Sequence, residues 1–242
     1  MTPPVLFLHP FPFDSGFWAP VVARMRDAPT GVLDAPGFGG RPMPVGWSIA
    51  DWAEDAAERI AAGPSGTAVV CGLSMGGYAA LALAAGHPSV LAGLVLADTK
   101  AGADDEKARA GRDAGIEKVT GGEMAAWLDD LMPKLVSPAA GDDVRADLRA
   151  QAARQDPSCV AEALRALRDR PDRTGDLARI AVPTLVVVGE DDGVTPPAAA
   201  RALHDGIDGS RLETIPGAGH LSAAERPDEF ASLVAEFAEG IG

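Results

Sequence analysis

Short runs of consecutive apolar residues alternate along this chain with longer stretches in which apolar residues recur every three or four positions. Val5 to Leu8, Gly31 to Asp34, Thr67 to Cys71, Leu94 to Ala97, Pro183 to Gly189 and Arg211 to Ile215 have strand length. An uninterrupted apolar run suits a strand buried on both faces, the usual state in a parallel sheet. Between the runs, residues 16–27 read as a helix capped by Asp14 or Ser15, with Trp18, Val21, Val22 and Met25 inward. Residues 49–62 read as a second, capped by Ser48, with Ile49, Trp52, Ala53, Ala56 and Ile60 on one face. Residues 75–85 are rich in Ala and Leu, which favours a third. Helices near 197–206 and 222–239 complete the alternation.

The pattern changes between residues 99 and 173, where no strand-like run occurs. Polar-rich helical segments near 104–119, 122–132, 141–155 and 158–169 are punctuated by Gly121-Gly122, Pro138 and Pro157. The expectation is an α/β fold with a six-stranded, mostly parallel sheet and helices on both faces. Residues 1–98 and 174–242 form its core, and 99–173 form an inserted helical cap.

Composition narrows the function. The 242 residues are 47% hydrophobic and 23% charged, a globular profile with enough chain for a self-sufficient core. A net charge of −14 disfavours nucleic acid and anionic membrane surfaces as partners. The two cysteines provide neither a disulfide framework nor a thiolate metal site, and Cys71 falls in a buried strand. No run approaches the ~20 apolar residues of a membrane span. Thr2-Pro-Pro leads straight into a strand with no basic leader, so a cytoplasmic protein is expected.

Candidate chemistry gathers at the strand ends. Gly72-Leu73-Ser74-Met75-Gly76 fits G-x-S-x-G between a strand and a helix. Such a turn raises the Ser74 hydroxyl above the sheet edge, at a helix N-terminus that favours developing negative charge. A serine nucleophile needs a base. Of the four histidines, His87 lies at the far end of the following helix and His204 sits in a polar helix. His220 follows the last strand, on the same sheet edge as Ser74, and is the preferred base. Asp191, Asp192 and Asp98 all end neighbouring strands, and position alone leaves the acid open among them. Met75 and Phe11 are the candidate oxyanion amides. Pro10 has no N–H, and His9 reads as an organiser of its loop.

Taken together, Leu8-His9-Pro10-Phe11, Asp34 to Gly39, Gly72 to Gly77, Gly189 to Asp192 and Gly217 to His220 resemble the α/β-hydrolase fold superfamily. Within it, the small capped serine hydrolases, enol-lactonases and carboxylesterases, are most similar. The resemblance implies Asp192 as the acid, with Asp98, after the preceding strand, as the backup. It implies a six-stranded core where the family usually has eight strands, and an altered oxyanion loop, because Pro10 stands where glycine is usual. A cap would exclude water and shape a pocket for which Phe13, Trp127 and Leu131 are candidates. The implied activity is cleavage of a small-molecule carboxylic ester or lactone through an acyl-enzyme, without metal or organic cofactor. Haloperoxidase-like or C–C bond hydrolysis on the same triad, or a non-catalytic receptor on the same scaffold, are the rivals.

Overall fold

The computed structural model of the chain describes residues 2–25 and 28–241. Six strands, β1 (Val5–Leu8), β2 (Thr30–Leu33), β3 (Ala68–Leu73), β4 (Leu91–Ala97), β5 (Thr184–Gly189) and β6 (Arg211–Ile215), form one sheet. Its order is β2-β1-β3-β4-β5-β6, and every pairing is parallel. The chain moves outward from β1 to β2, then returns past β1 to β3. The strand order therefore reverses between β1 and β3, and a crevice opens there at the carboxyl ends of the strands.

The helices follow from that order. α1 (Ala19–Val22), α2 (Ile49–Ala61) and α3 (Met75–Gly86) link the first four strands. α8 (Pro197–Gly206) joins β5 to β6, and α9 (Ser222–Glu225) and α10 (Pro227–Ile241) close the chain. Right-handed crossovers place α2, α3 and α8 on one face, and α1 and α10 on the other. Accordingly α2 packs on α3, and α1 packs on α10. Trp18, fully buried, stacks between Phe7 of β1 and Phe230 of α10. Burying each such ring is worth about 1.5–3 kcal/mol. Ser48 starts α2 with a reciprocal capping box to Asp51, and the buried face is the one its spacing predicts, with Ala57 added.

Three predicted helices differ from those formed. In the first, Ser15–Trp18 is a 3₁₀ turn capped by Asp14, and α1 stops at Val22. Residues 26 and 27 of the predicted span lie outside the described residues. The predicted 222–239 helix is broken at Arg226, because Pro227 disfavours helical geometry in the residue before it. The predicted 122–132 helix runs on through Pro133. The missing amide of Pro133 leaves only the Asp129 carbonyl unpaired, on the exposed face, and the helix ends two residues later.

Between β4 and β5 come four helices, α4 (Glu106–Thr120), α5 (Met124–Leu135), α6 (Asp142–Ala153) and α7 (Pro157–Asp169). Their inner faces are apolar, with Val119, Trp127, Leu128, Leu148, Val160, Leu164 and Leu167 buried. The two ends of this insertion are tied together by a buried ion pair. Arg170 places Nη1 2.7 Å from Asp104 Oδ1 and lays its guanidinium 4.0 Å from the centre of the Tyr78 ring on α3. Arg112 also reaches Asp104, at 3.1 Å, and Lys100 approaches to 3.7 Å. Arg109 pairs with Asp169 across the α4–α7 seam. Lys100, Arg109 and Arg112 therefore each have an acidic partner within the protein. Among the described residues no helix is long and apolar enough to cross a membrane.

Candidate active site

Ser74 occupies the turn between β3 and α3 with φ 53° and ψ −108°, a conformation rare for a side-chain-bearing residue. Tight packing holds it there. A Cβ on Gly72 would lie 2.2 Å from the Gly76 carbonyl oxygen, and one on Gly76 would lie 2.1 Å from that of Leu8. No side chain fits at either position, so the glycines of G-x-S-x-G are dictated by backbone approach. The Ser74 amide is held by the Ala97 carbonyl at 2.9 Å, and its own carbonyl accepts from Thr99 Oγ1 at 3.0 Å. Its Oγ is left to face outward.

That Oγ lies 2.8 Å from His220 Nε2. On the other side of the ring, Nδ1 lies 2.9 Å from Asp192 Oδ2. Both His220 and Asp192 are 3% exposed. An ionised carboxylate only accepts, so His220 carries its proton on Nδ1 and offers the Nε2 lone pair to the Ser74 hydroxyl. Asp192 is ordered by its own loop. Its Oδ1 accepts from the amides of Val194 and Thr195, at 2.8 and 2.9 Å, and its Oδ2 accepts from Thr195 Oγ1 at 2.8 Å. Burial alone would raise the pKa of Asp192. The His220 bond and charge, with the Thr195 bonds, outweigh it and hold the carboxyl below its ordinary range.

Asp98 has a different place. It is fully buried, and its Oδ1 accepts from the Gly189 amide at 2.8 Å. Its Oδ2 meets Ser222 Oγ at 2.5 Å and the Ser222 amide at 3.3 Å. Neither oxygen bonds to His220. The backup acid of the sequence reading is thus a structural carboxyl, tying the end of β5 to the loop beyond His220. Burial, then the nearby Asp192 charge, push its pKa well above the ordinary range.

The Met75 amide is the first of α3 and has no acceptor within the helix. The Phe11 amide lies in the loop after β1. His9 organises that loop as expected: its Nδ1 donates to the Pro10 carbonyl at 3.0 Å, and its Nε2 accepts from the Ala35 amide at 2.9 Å. Full burial lowers the His9 pKa and keeps the ring neutral, which this bonding requires. The Phe11–Pro12 peptide is cis.

Above this loop, a groove of about 330 Å³ is lined by Phe11 together with residues of α4, α5 and α7. Trp127 meets Phe11 edge-on at 5.9 Å, and Leu131 lies beside it. Arg112, Lys118 and Lys134 stand at the groove with one acid, Asp130, which Lys118 holds at 2.9 Å. Phe13 does not line this groove. It is fully buried against Phe17 in the core beneath the loop, which corrects its selection as a pocket residue. Its apolar character fits either place, and only packing separates them.

Three residues missed in the sequence also shape the site: Thr195, Ser222 and Glu225. The Asp192-Gly-Val-Thr195 spacing carries a signal, since an Asp followed by a hydroxyl residue in a loop favours side-chain-to-backbone turns. Ser222 carries none, nor does the Ser137 contact of Glu225, because those partners are distant in sequence. Among the described residues no cluster of three His, Cys, Asp or Glu side chains is arranged to hold a metal ion.

Comparison with known proteins agrees with this architecture. A pimeloyl-acyl-carrier-protein methyl ester esterase from Neisseria meningitidis serogroup A is 31% identical over 220 residues, covering 88% of this chain and 69% of that protein. The 3-oxoadipate enol-lactonase 1 of Acinetobacter baylyi is 27% identical over 247 residues, 99% of this chain and 90% of the relative. A malate-bound thermophilic esterase from Thermogutta terrifontis superposes with a TM-score of 0.94 at 31% identity, over 98% of this chain and 90% of that one. The sequence profile of the alpha/beta hydrolase family matches residues 5–233, and with a parallel sheet that carries its serine on the β3–α3 turn, the chain belongs to that family.

Proposed function

We propose that this chain is a serine hydrolase that cleaves a small carboxylic ester or lactone through an acyl-enzyme. The observation that carries the reading is the unbroken run of hydrogen bonds from Ser74 through His220 to Asp192. Ser74 Oγ attacks the substrate carbonyl while His220 Nε2 takes its proton. The imidazolium formed is stabilised by the buried Asp192 carboxylate. The Met75 and Phe11 amides receive the negative charge on the carbonyl oxygen. His220 then returns the proton to the leaving alcohol, and a water repeats the sequence to release the acid. For a lactone, leaving group and acyl group are one molecule, so the ring opens and stays bound until the second step.

The groove over Phe11 supports a short apolar substrate portion. Its three cations, Arg112, Lys118 and Lys134, set against the one acid Asp130, support a substrate that also carries an anionic group. The test is active-site labelling with a fluorophosphonate, followed by turnover of p-nitrophenyl esters of increasing length, with and without a terminal carboxylate. Labelling is expected in the native protein and absent in Ser74→Ala. Turnover is expected to favour short acyl chains. Equal labelling of Ser74→Ala, or none of the native protein, overturns the hydrolase reading; equal turnover of long chains overturns the size preference.

A further inference from the structure

Glu225 is a buried carboxylate for which the proposed chemistry has no use. It is 7% exposed, at the end of the short α9, where the break before Pro227 turns it back toward the His220 loop. Its two oxygens accept from backbone amides of two different parts of the molecule. Oε1 takes the Gly219 amide at 2.9 Å, next to His220, and Oε2 takes the Ser137 amide at 2.9 Å, in the linker between α5 and α6. The same linker reaches the acid loop, for Ser137 Oγ donates to Asp191 Oδ2 at 2.7 Å, next to Asp192. It also receives the Leu221 amide on the Leu135 carbonyl at 3.1 Å. Arg145 holds the linker from the far side, with Nη2 2.6 Å from the Ser137 carbonyl.

The contact is backbone on backbone. A Cβ on Gly219 would lie 2.4 Å from the Ser137 nitrogen and 2.7 Å from the Val136 carbonyl carbon. Nothing soft separates the insertion from the His220 loop, so a shift of the linker must move Gly219 or break the Glu225 bonds. Residues 191, 219 and 221 flank Asp192 and His220, and all three are fastened, directly or through Glu225, to Leu135–Ser137.

We propose that Glu225, together with Ser137, is a positioning unit for the proposed hydrolysis: it couples the seating of the helical insertion to the placement of His220 between Ser74 and Asp192. The inference rests on the serine-hydrolase reading for its effect on rate. The coupling itself does not. One consequence is that the insertion is anchored at the α5–α6 side and at the Arg170–Asp104 root. A second is that substrate contacts on the insertion bear on His220 through a path of two hydrogen bonds.

The test uses the full chain with Glu225→Gln and Ser137→Ala. In Glu225→Gln an amide NH₂ faces one of the two backbone amides, so one of the two bonds is lost and the other kept. Misplacement of a catalytic group by a fraction of an ångström costs about ten- to a hundredfold in rate. The expected result is therefore a kcat for p-nitrophenyl acetate lowered about tenfold or more in Glu225→Gln, with KM within about twofold and a matching drop in fluorophosphonate labelling. Ser137→Ala keeps the amide bond to Glu225 and loses the hydroxyl's bonds to Asp191 and from the Ala139 amide, so about a threefold fall is expected. Amide hydrogen exchange reads the coupling without reference to activity. Segments 135–140 and 217–221 are expected to lose protection together in Glu225→Gln. Unchanged kcat and unchanged exchange in folded Glu225→Gln overturn the proposal, as does loss of protection in one segment alone. Should Glu225→Gln fail to fold, unchanged kcat in Ser137→Ala overturns it. Coupled exchange in a wild-type chain that neither labels nor turns over esters would overturn the hydrolase reading and leave the coupling standing.

Discussion

Two aspartates end neighbouring strands of the sheet, Asp98 after β4 and Asp192 after β5, and their surroundings push their pKa values in opposite directions, Asp98 up and Asp192 down. Both are buried and both accept hydrogen bonds from backbone amides. The difference is the partner on the second oxygen. Asp192 faces an imidazole that can become a cation, and three of its bonds come from a loop that folds around it. Asp98 faces a serine hydroxyl and the negative charge of Asp192 itself. An identical side chain thus serves as the partner of His220 in one place and as a hydrogen-bonded staple between β5 and Ser222 in the other. Its surroundings, one strand apart, decide which.

The sharpest way to break the comparison is Asp192→Asn. The amide would donate toward His220 Nδ1, force the proton to Nε2 and remove the acceptor for the Ser74 hydroxyl. A kcat/KM drop of about 10³–10⁴-fold is expected on p-nitrophenyl acetate. If Asp98 were the working acid, this variant would stay active and Asp98→Asn would not.

Next in size is Asp98→Ala, read by denaturant unfolding. It strands the Gly189 amide and both Ser222 donors in the interior, and puts alanine at φ 45°, which Asp and Asn tolerate far better. A loss of about 3 kcal/mol or more is expected. Asp98→Asn keeps an acceptor for Gly189 and can donate to Ser222 Oγ, so its loss should stay near 1 kcal/mol. Equal losses for the two would show that shape, not hydrogen bonding, is what matters at this position.

The two groups also predict opposite pH dependences of stability. Asp98, raised in the folded state, binds its proton more tightly folded than unfolded. Its contribution is present below about pH 4 and is lost as pH rises toward the raised value. Asp192, lowered in the folded state, contributes above about pH 4, and that contribution is lost as pH falls through its lowered value. Melting curves from pH 3 to 9 should therefore flatten on the alkaline side in Asp98→Asn and on the acid side in Asp192→Asn. The reverse pattern would mean the assignments of charge are exchanged.

The smallest effect is expected from Thr195→Val. It removes the hydroxyl's bond to Asp192 Oδ2 and its 3.2 Å contact with His220 Nδ1, and leaves the backbone amides of residues 194 and 195 in place. A fall in kcat of about fivefold, equivalent to ~1 kcal/mol, should be measurable in steady-state turnover. No change would make the loop amides alone sufficient to order Asp192.

Much of this was legible before any coordinates. The apolar runs gave β1, β3, β4 and β5 to within a few residues, because a strand buried on both faces has to be apolar throughout, whereas the edge strands β2 and β6 are only partly buried. Helix spacing gave the buried face of α2, since one amphipathic helix carries its own record of inside and outside. Ser74 and His220 were separable from other serines and histidines by their places after β3 and β6. Less legible was anything depending on a partner far along the chain. Phe13 and Phe11 are two residues apart and chemically identical, yet one is core and the other borders the groove. Pro133 reads as a helix stop but sits where its missing hydrogen bond costs little.

The sequence by itself determined the parallel α/β core, the serine on its turn and the histidine on the same edge. Those rest on local patterns and on the rule that strand ends of a parallel sheet converge. Only the tertiary structure decided which aspartate meets His220, and it alone brought Glu225 to Ser137 and Gly219. Hydrogen bonds across 88 or 124 positions of chain leave no periodicity to read, because they are set by how loops from different strands pack over one sheet edge.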